Sequence, residues 1–241
     1  MIDYPSPLVQ VQPPGIPDGR TVCIPKDEVF RVHNIFQDHD YAVPPHYLPS
    51  GSLTIVDIGA NVGLFALYMK SIRTDCDVYC FEPAPHILKL LEENTRGHQR
   101  IKAFANALSD HDGVAELFLN PFNSGENSLK SEGAQGGRSI QVDVRDAATV
   151  FRQIGLTYID ILKIDTEGSE VEILRSLHHY LPYVGIVMAE YHSETDRRTI
   201  DTLLPNHMLF DAKPCDINLG LVKYINSRLV ESRSSNKKGS R

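Results

Sequence analysis

No run of about 18 apolar residues occurs in the 241-residue chain, so no segment reads as a membrane-spanning helix. The first residues, MIDYPSPLVQVQPPG, carry an acid and prolines where a secretory leader would have basic and then apolar segments. The expected compartment is therefore the cytoplasm, with no membrane partner. Cysteine is scarce: Cys23, Cys76, Cys80 and Cys215 form no C-x-x-C pair. Cys80 lies in an apolar run, and no second pair or nearby histidine completes a zinc set around it and Cys76, so free buried thiols are expected and no dedicated metal site. Positive charge is also short. A net charge of −7 offers no general attraction to nucleic acid, and the basic cluster RSSNKKGSR reads as a solvated tail over residues 231–241. No repeat at solenoid periods is present.

What the chain does have is a regular alternation. Its length and its 41% hydrophobic content suit one large domain, here 51–230, preceded by an appendage over 1–50. That appendage is rich in proline, has short strand-like pieces such as TVCIP and VFRVHNIF, and is expected to pack on or over the site. From Thr54 onward, strand-length apolar runs (TIVDIG, DVYCFEP, RIKAFANAL, IDILKID, GIVMAEY) alternate with helix-like segments (VGLFALYMKSI, HILKLLEENTR, RDAATVFRQI, SEVEILRSLHHY, SETDRRTIDTLL). The pattern predicts an α/β fold with a mostly parallel sheet covered on both faces. Between Asp110 and Asp146 the rhythm breaks into two alternating strands around a glycine-rich loop, a β-hairpin insertion after the third strand with a mobile loop from Pro121 to Arg138.

The first strand runs into Asp57-x-Gly59-x-Asn61-x-Gly63. A dinucleotide turn needs a glycine at its second position so that the backbone can approach a pyrophosphate; here that position is Asn61, which still tolerates a left-handed backbone. Asp57 adds negative charge where phosphates would sit. The turn suits a cationic ligand without phosphates, such as S-adenosylmethionine. The second strand ends in CFEP, which places Glu82 nineteen residues after Gly63, at the crevice where it can accept hydrogen bonds from both hydroxyls of a ribose.

VDIGANVG, FEP, NALSD and above all DILKIDTEGSEVEIL resemble the FkbM-type S-adenosylmethionine-dependent methyltransferases over roughly Thr54 to His192. The resemblance implies the Rossmann-like class I methyltransferase fold, a seven-stranded sheet with an antiparallel last strand, to which MLFDAK and LVKYINSRL are assigned as the final pair. It also implies cofactor contacts at Asp57, Gly59, Asn61, Gly63 and Glu82, with the adenine near Asn106, Ala107 and Leu108.

DILKIDTEG ends with Asp165 and Glu167, and GIVMAEYH with Glu190 and His192, each pair two residues apart and so on one side of an extended segment. Asp165 and Glu167 also suit the capping of a helix that begins near Ser169. His178 and His179 lie in a helix-like segment and read as structural. NPFN at Asn120 to Asn123 lies in the insertion rather than after the fourth strand, and Pro214-Cys215 lies outside the crevice; neither reads as catalytic. The expected chemistry is O-methylation of a small-molecule hydroxyl, with His192 as base, Glu190 orienting it, and Asp165 between cofactor and acceptor. A carboxylate acceptor, which needs no base, and a non-catalytic adenosine-ligand sensor are the alternatives.

Overall fold

In the computed structural model, residues 6–16, 18–120, 123–130 and 138–230 are described. The strands are β1 (Leu8–Val11), β2 (Val22–Pro25), β3 (Leu53–Ile58), β4 (Cys76–Phe81), β5 (Ile101–Phe104), β6 (Ala107–Ser109), β7 (Gly113–Phe118), β8 (Ser139–Asp146), β9 (Ile159–Ile164), β10 (Val184–Tyr191), β11 (His207–Pro214) and β12 (Gly220–Asn226). The helices are α1 (Phe30–Phe36), α2 (Leu64–Ile72), α3 (Pro85–Asn94), α4 (Ala147–Gln153), α5 (Glu170–Ser176) and α6 (Glu194–Leu203).

Seven strands form the central sheet in the order β11-β12-β10-β9-β3-β4-β5. The five from β5 to β10 are parallel, and β12 runs antiparallel between β10 and β11. This is the expected class I topology. Alternate residues of each strand enter different cores: Ile55 and Ile161 pack with α2, α3 and the N-terminal segment, whereas Val56 and Leu162 pack with α4, α5 and α6. Every residue of β9 is buried, because helices cover both of its faces.

Two segments differ from the sequence reading. VFRVHNIF forms helix α1 rather than a strand, since Val32, Ile35 and Phe36 bury one helical face. RIKAFANAL is not one strand: β5 ends at Phe104, and β6 leaves the main sheet to pair parallel with β8. With β7 antiparallel to β8, the insertion is a three-stranded sheet, β6-β8-β7, built on the expected hairpin. The loop expected to be mobile lies partly, and the expected tail over 231–241 wholly, outside the described residues. The described portion of that loop carries a short helical turn at Ser124–Glu126, and its Ser128 bridges back to Phe118 of β7.

The N-terminal segment is fastened to the main domain by Asn94. Its amide donates to the carbonyls of Cys23 and Val62, and its oxygen accepts from the Cys23 amide, which ties β2, α3 and the turn after β3 together. Cys76 and Cys80 are buried, but Cys23 is half-buried and Cys215 exposed, so burial of all four thiols does not hold. Among the described residues, no helix is long and apolar enough to cross a membrane.

Candidate active site

The turn after β3 reverses the chain through three left-handed residues, Gly59 (φ 76°), Asn61 (φ 47°) and Gly63 (φ 86°). At Gly59 conformation and space both demand glycine, because a Cβ there would lie 1.7 Å from the carbonyl oxygen of Asp165. Gly59→Ala is therefore expected to abolish binding of S-adenosylhomocysteine in calorimetry and to lower the melting temperature. Normal binding by that variant would show that the two strand ends part freely.

This turn forms one wall of a cavity of about 880 Å³, part of it open to solvent. Of the residues expected at the cofactor, Gly59, Asn61, Glu82, Asn106, Ala107, Leu108 and Asp165 line it. Gly63 does not; it opens α2 and packs on Leu91 and Thr95. Asp57 does not line the cavity either. It is fully buried beneath the turn, because it is the cross-strand partner of Lys163 on β9, whose Nζ lies 3.0 Å from its carboxylate. Its expected role as a direct ligand contact is corrected to support from below.

Lys163 connects three parts of the site. Its ammonium also donates to the Gly59 carbonyl at 2.8 Å and lies 3.4 Å from Asp165. Burial alone would lower its pKa, but Asp57 and Asp165 together raise it well above the ordinary lysine value. Burial likewise pushes against the charge on Asp165, and Lys163, a hydrogen bond from Glu190 and the charges of Arg31 and His192 together hold that carboxylate below its ordinary range. Tyr41, from the N-terminal segment, donates to Asp165 at 3.4 Å. The sequence signal for Lys163 was available: it is a charge in the middle of a strand that is otherwise apolar but for Asp160.

Glu82 projects from the end of β4 with both oxygens held. Oε2 accepts from the Asn61 amide and Oε1 from the Ala84 amide, each at 2.9 Å. A carboxylate offers about four lone-pair sites, so acceptor capacity is left over on each oxygen for a ligand. Burial raises its pKa to about 7, against the lowering effect of these two amides.

Beside the cavity lies a residue absent from the sequence reading. Glu28, almost fully buried, accepts from the amide and hydroxyl of Ser124 (2.7 and 2.5 Å) and from Asn61 Nδ2 (3.3 Å). The N-terminal segment, the β3 turn and the insertion thus meet on one carboxylate. Only the spatial join of three distant segments makes it visible.

A second, wider cleft lies beside the first, lined by Asp165, Glu167, Glu190 and His192 together with α1, the insertion and the β11–β12 turn. Arg31, Ile35, Tyr41, Asp165 and Glu167 line both spaces, so these residues mark where a bound cofactor and an acceptor would meet. His192 lines the second space only. Its Nε2 is 2.9 Å from Glu167 Oε2, its Nδ1 is 3.5 Å from Glu170 Oε1, and Glu190 is more distant at 4.0 Å. Burial would lower the histidine pKa, but Glu167 and Glu170 raise it to about 11. Glu167 and Glu170, rather than the expected Glu190, are therefore the carboxylates nearest the ring. Burial and the neighbouring charges of Asp165 and Glu167 push Glu190 to about 10. Neither Asp165 nor Glu167 caps α5, whose N-cap Ser169 has no side-chain cap; Glu170 instead accepts from the amides of Thr166 and Gly168 and holds the turn before the helix. His46 sits in a 3₁₀ turn, Pro45–Tyr47, and lines neither space.

The methyltransferase FkbM domain family matches residues 57–211. Methyltransferase 1 of Beauveria bassiana is 30% identical over 202 residues, which cover 74% of this chain and 80% of that protein. The 31-O-demethyl-FK506 methyltransferase FkbM of Streptomyces tacrolimicus is 28% identical over 210 residues, covering 73% and 80%. Among solved structures, the Methanococcus jannaschii fibrillarin pre-rRNA processing protein aligns with a TM-score of 0.50 at 12% identity over 92% of this chain and 83% of its own, a likeness of fold alone. The matched segment begins at Asp57 and takes in the turn, Glu82 and both acid-bearing strand ends, and the chain accordingly belongs to the FkbM family of S-adenosylmethionine-dependent methyltransferases.

Proposed function

We propose that the protein transfers the methyl group of S-adenosylmethionine to a hydroxyl oxygen of a polar small molecule such as a sugar or a natural product. The observation that carries this reading is the meeting point of the two spaces, where Asp165 and Glu167 face both. Carboxylates there accept hydrogen bonds from an approaching hydroxyl and repel an anionic carboxylate acceptor. Arg31, the cation at the same place, pairs with Glu28 at 3.7 Å and donates to Asn123 at 3.3 Å. The same acidic lining disfavours a nucleic-acid backbone. The 31-O-demethyl-FK506 methyltransferase, by its name, acts at an oxygen, which supports the same reading.

In the transfer, a bond forms between the acceptor oxygen and the methyl carbon while the bond from that carbon to sulfur breaks; sulfur leaves as a neutral thioether, and the hydroxyl proton passes to a carboxylate of the junction. Alignment of oxygen, carbon and sulfur supplies most of the rate, roughly 7 to 11 kcal/mol where two reactants are held in register. The cofactor cavity fixes one partner through Glu82 and the β3 turn, and the junction residues fix the other.

The test is product chemistry. Incubation with labelled S-adenosylmethionine and matched panels of polyols and carboxylic acids is expected to give methyl ethers, which survive mild alkali. Base-labile methyl esters would overturn the hydroxyl reading. Cofactor binding with no turnover on any acceptor would favour a sensor.

A further inference from the structure

The second cleft has a group of three donors of which the transfer reaction, as described, uses only Glu167. Glu167 follows β9, Glu190 lies on β10, and His192 follows β10, so neighbouring parallel strands bring their carboxyl ends together. One ligating atom from each of the three lies within 4.8 Å of the others. Two carboxylates and one imidazole form a set suited to a divalent metal of intermediate softness: carboxylate favours magnesium and manganese, and imidazole favours the transition metals.

A separate observation concerns how the histidine is held. Both of its ring nitrogens are shielded from solvent and lack a well-aligned hydrogen bond among the described residues, although carboxylates stand nearby. Glu170, fully buried, faces Nδ1 with an oxygen fixed by the Thr166 and Gly168 amides, while its other oxygen has no hydrogen-bond partner among the described residues. Metal-bound histidines are oriented in this way, one nitrogen to a buried carboxylate and the other to the ion. Nε2 is the nitrogen turned toward Glu167 and Glu190. Four carboxylates, Asp165, Glu167, Glu170 and Glu190, crowd this corner, and Lys163 is shared with Asp57.

We propose that Glu167, Glu190 and His192 bind a divalent cation, with manganese the best match, in the acceptor cleft, and that Glu170 is the positioning residue that aims the histidine at it. Three protein ligands leave coordination positions open toward the cleft. Those positions suit an acceptor that offers one or two hydroxyl oxygens, and this last step rests on the hydroxyl reading above.

The experiment reads binding rather than turnover, so its outcome is independent of whether the acceptor is a hydroxyl. Protein stripped with chelator and saturated with S-adenosylhomocysteine is titrated with Mn²⁺ alone, followed by calorimetry and by the loss of the free-ion electron paramagnetic resonance signal. One Mn²⁺ per chain is expected. Glu190→Gln and His192→Ala should weaken it by more than about tenfold, and Glu170→Gln by about 10- to 100-fold, the usual range for an orienting partner. Affinity for S-adenosylhomocysteine should stay within about twofold in all three, which also reports that they fold; should His192→Ala fail that control, Glu190→Gln alone decides. No saturable Mn²⁺ binding to the wild type, or equal binding to the wild type and Glu190→Gln, would overturn the site.

Discussion

Replacing Lys163 by methionine is expected to cost the fold about 3 to 5 kcal/mol, the range for removing one partner of a buried ion pair. The effect is large because of what stays behind. Asp57 is fully buried and has Lys163 as its charge partner, so the variant leaves a carboxylate without compensation inside the sheet. Asp165 loses the same support, and the Gly59 carbonyl loses its donor at the turn that walls the cofactor cavity. For a domain of this size about 2 to 4 °C of melting temperature follows each kcal/mol, so a fall of roughly 6 to 20 °C is expected in a thermal melt. The double variant Asp57→Asn with Lys163→Met removes the stranded charge and should melt above Lys163→Met alone. If Lys163→Met melts with the wild type, or the two changes simply add, the pair is not what holds these strands.

Much of this arrangement was readable beforehand, and the reasons differ from element to element. β3, β4, β9 and β10 were legible because helices cover both faces, which demands short, nearly continuous apolar runs. The turn and Glu82 were legible because their chemistry is local: left-handed positions at Gly59, Asn61 and Gly63, and an acid at a strand end. The ion pair was not, although Lys163 stood out, because its partner follows only from the register that sets Asp57 opposite it. Helix α1 escaped because apolar residues at Val32, Ile35 and Phe36 fit either period over so short a piece. The break between β5 and β6 has no local signal; β6 is drawn away by pairing with β8, more than 30 residues on. For His192 the position was foreseen and its nearest carboxylates were not. The ring is faced by Glu167, from the turn after β9, and by Glu170, the first residue of α5.

Glu82→Gln is expected to weaken S-adenosylhomocysteine binding by roughly a hundredfold or more without unfolding the domain. Two hydrogen bonds from a ribose to an ionised carboxylate are worth about 1.5 to 3 kcal/mol each, and the neutral amide keeps at most a fraction of that. The variant also turns an amide NH₂ toward one of the two backbone donors, Asn61 or Ala84, that the carboxylate satisfies. pH supplies a second and sharper reading. Burial raises the Glu82 pKa from 4.5 to about 7 in the cofactor-free protein. A ligand that needs the carboxylate must displace that proton at low pH, so affinity should fall as pH drops through 7. At pH 6 roughly ten of every eleven molecules carry the proton, and the apparent affinity should be about tenfold below its high-pH value. The stability of the free protein runs the other way. Between pH 4.5 and 7 the folded state holds more protons at this residue than the unfolded chain, so the stability due to Glu82 is present below 4.5 and is lost as pH rises through 7. Calorimetry of S-adenosylhomocysteine binding from pH 5.5 to 8.5, beside melts of the free protein over the same range, separates the two trends, and Glu82→Gln should flatten both. An affinity that is independent of pH in the wild type, or a variant that binds as tightly as its parent, would mean that Glu82 serves only to tether the Asn61 and Ala84 amides and that the ribose is held elsewhere in the cavity.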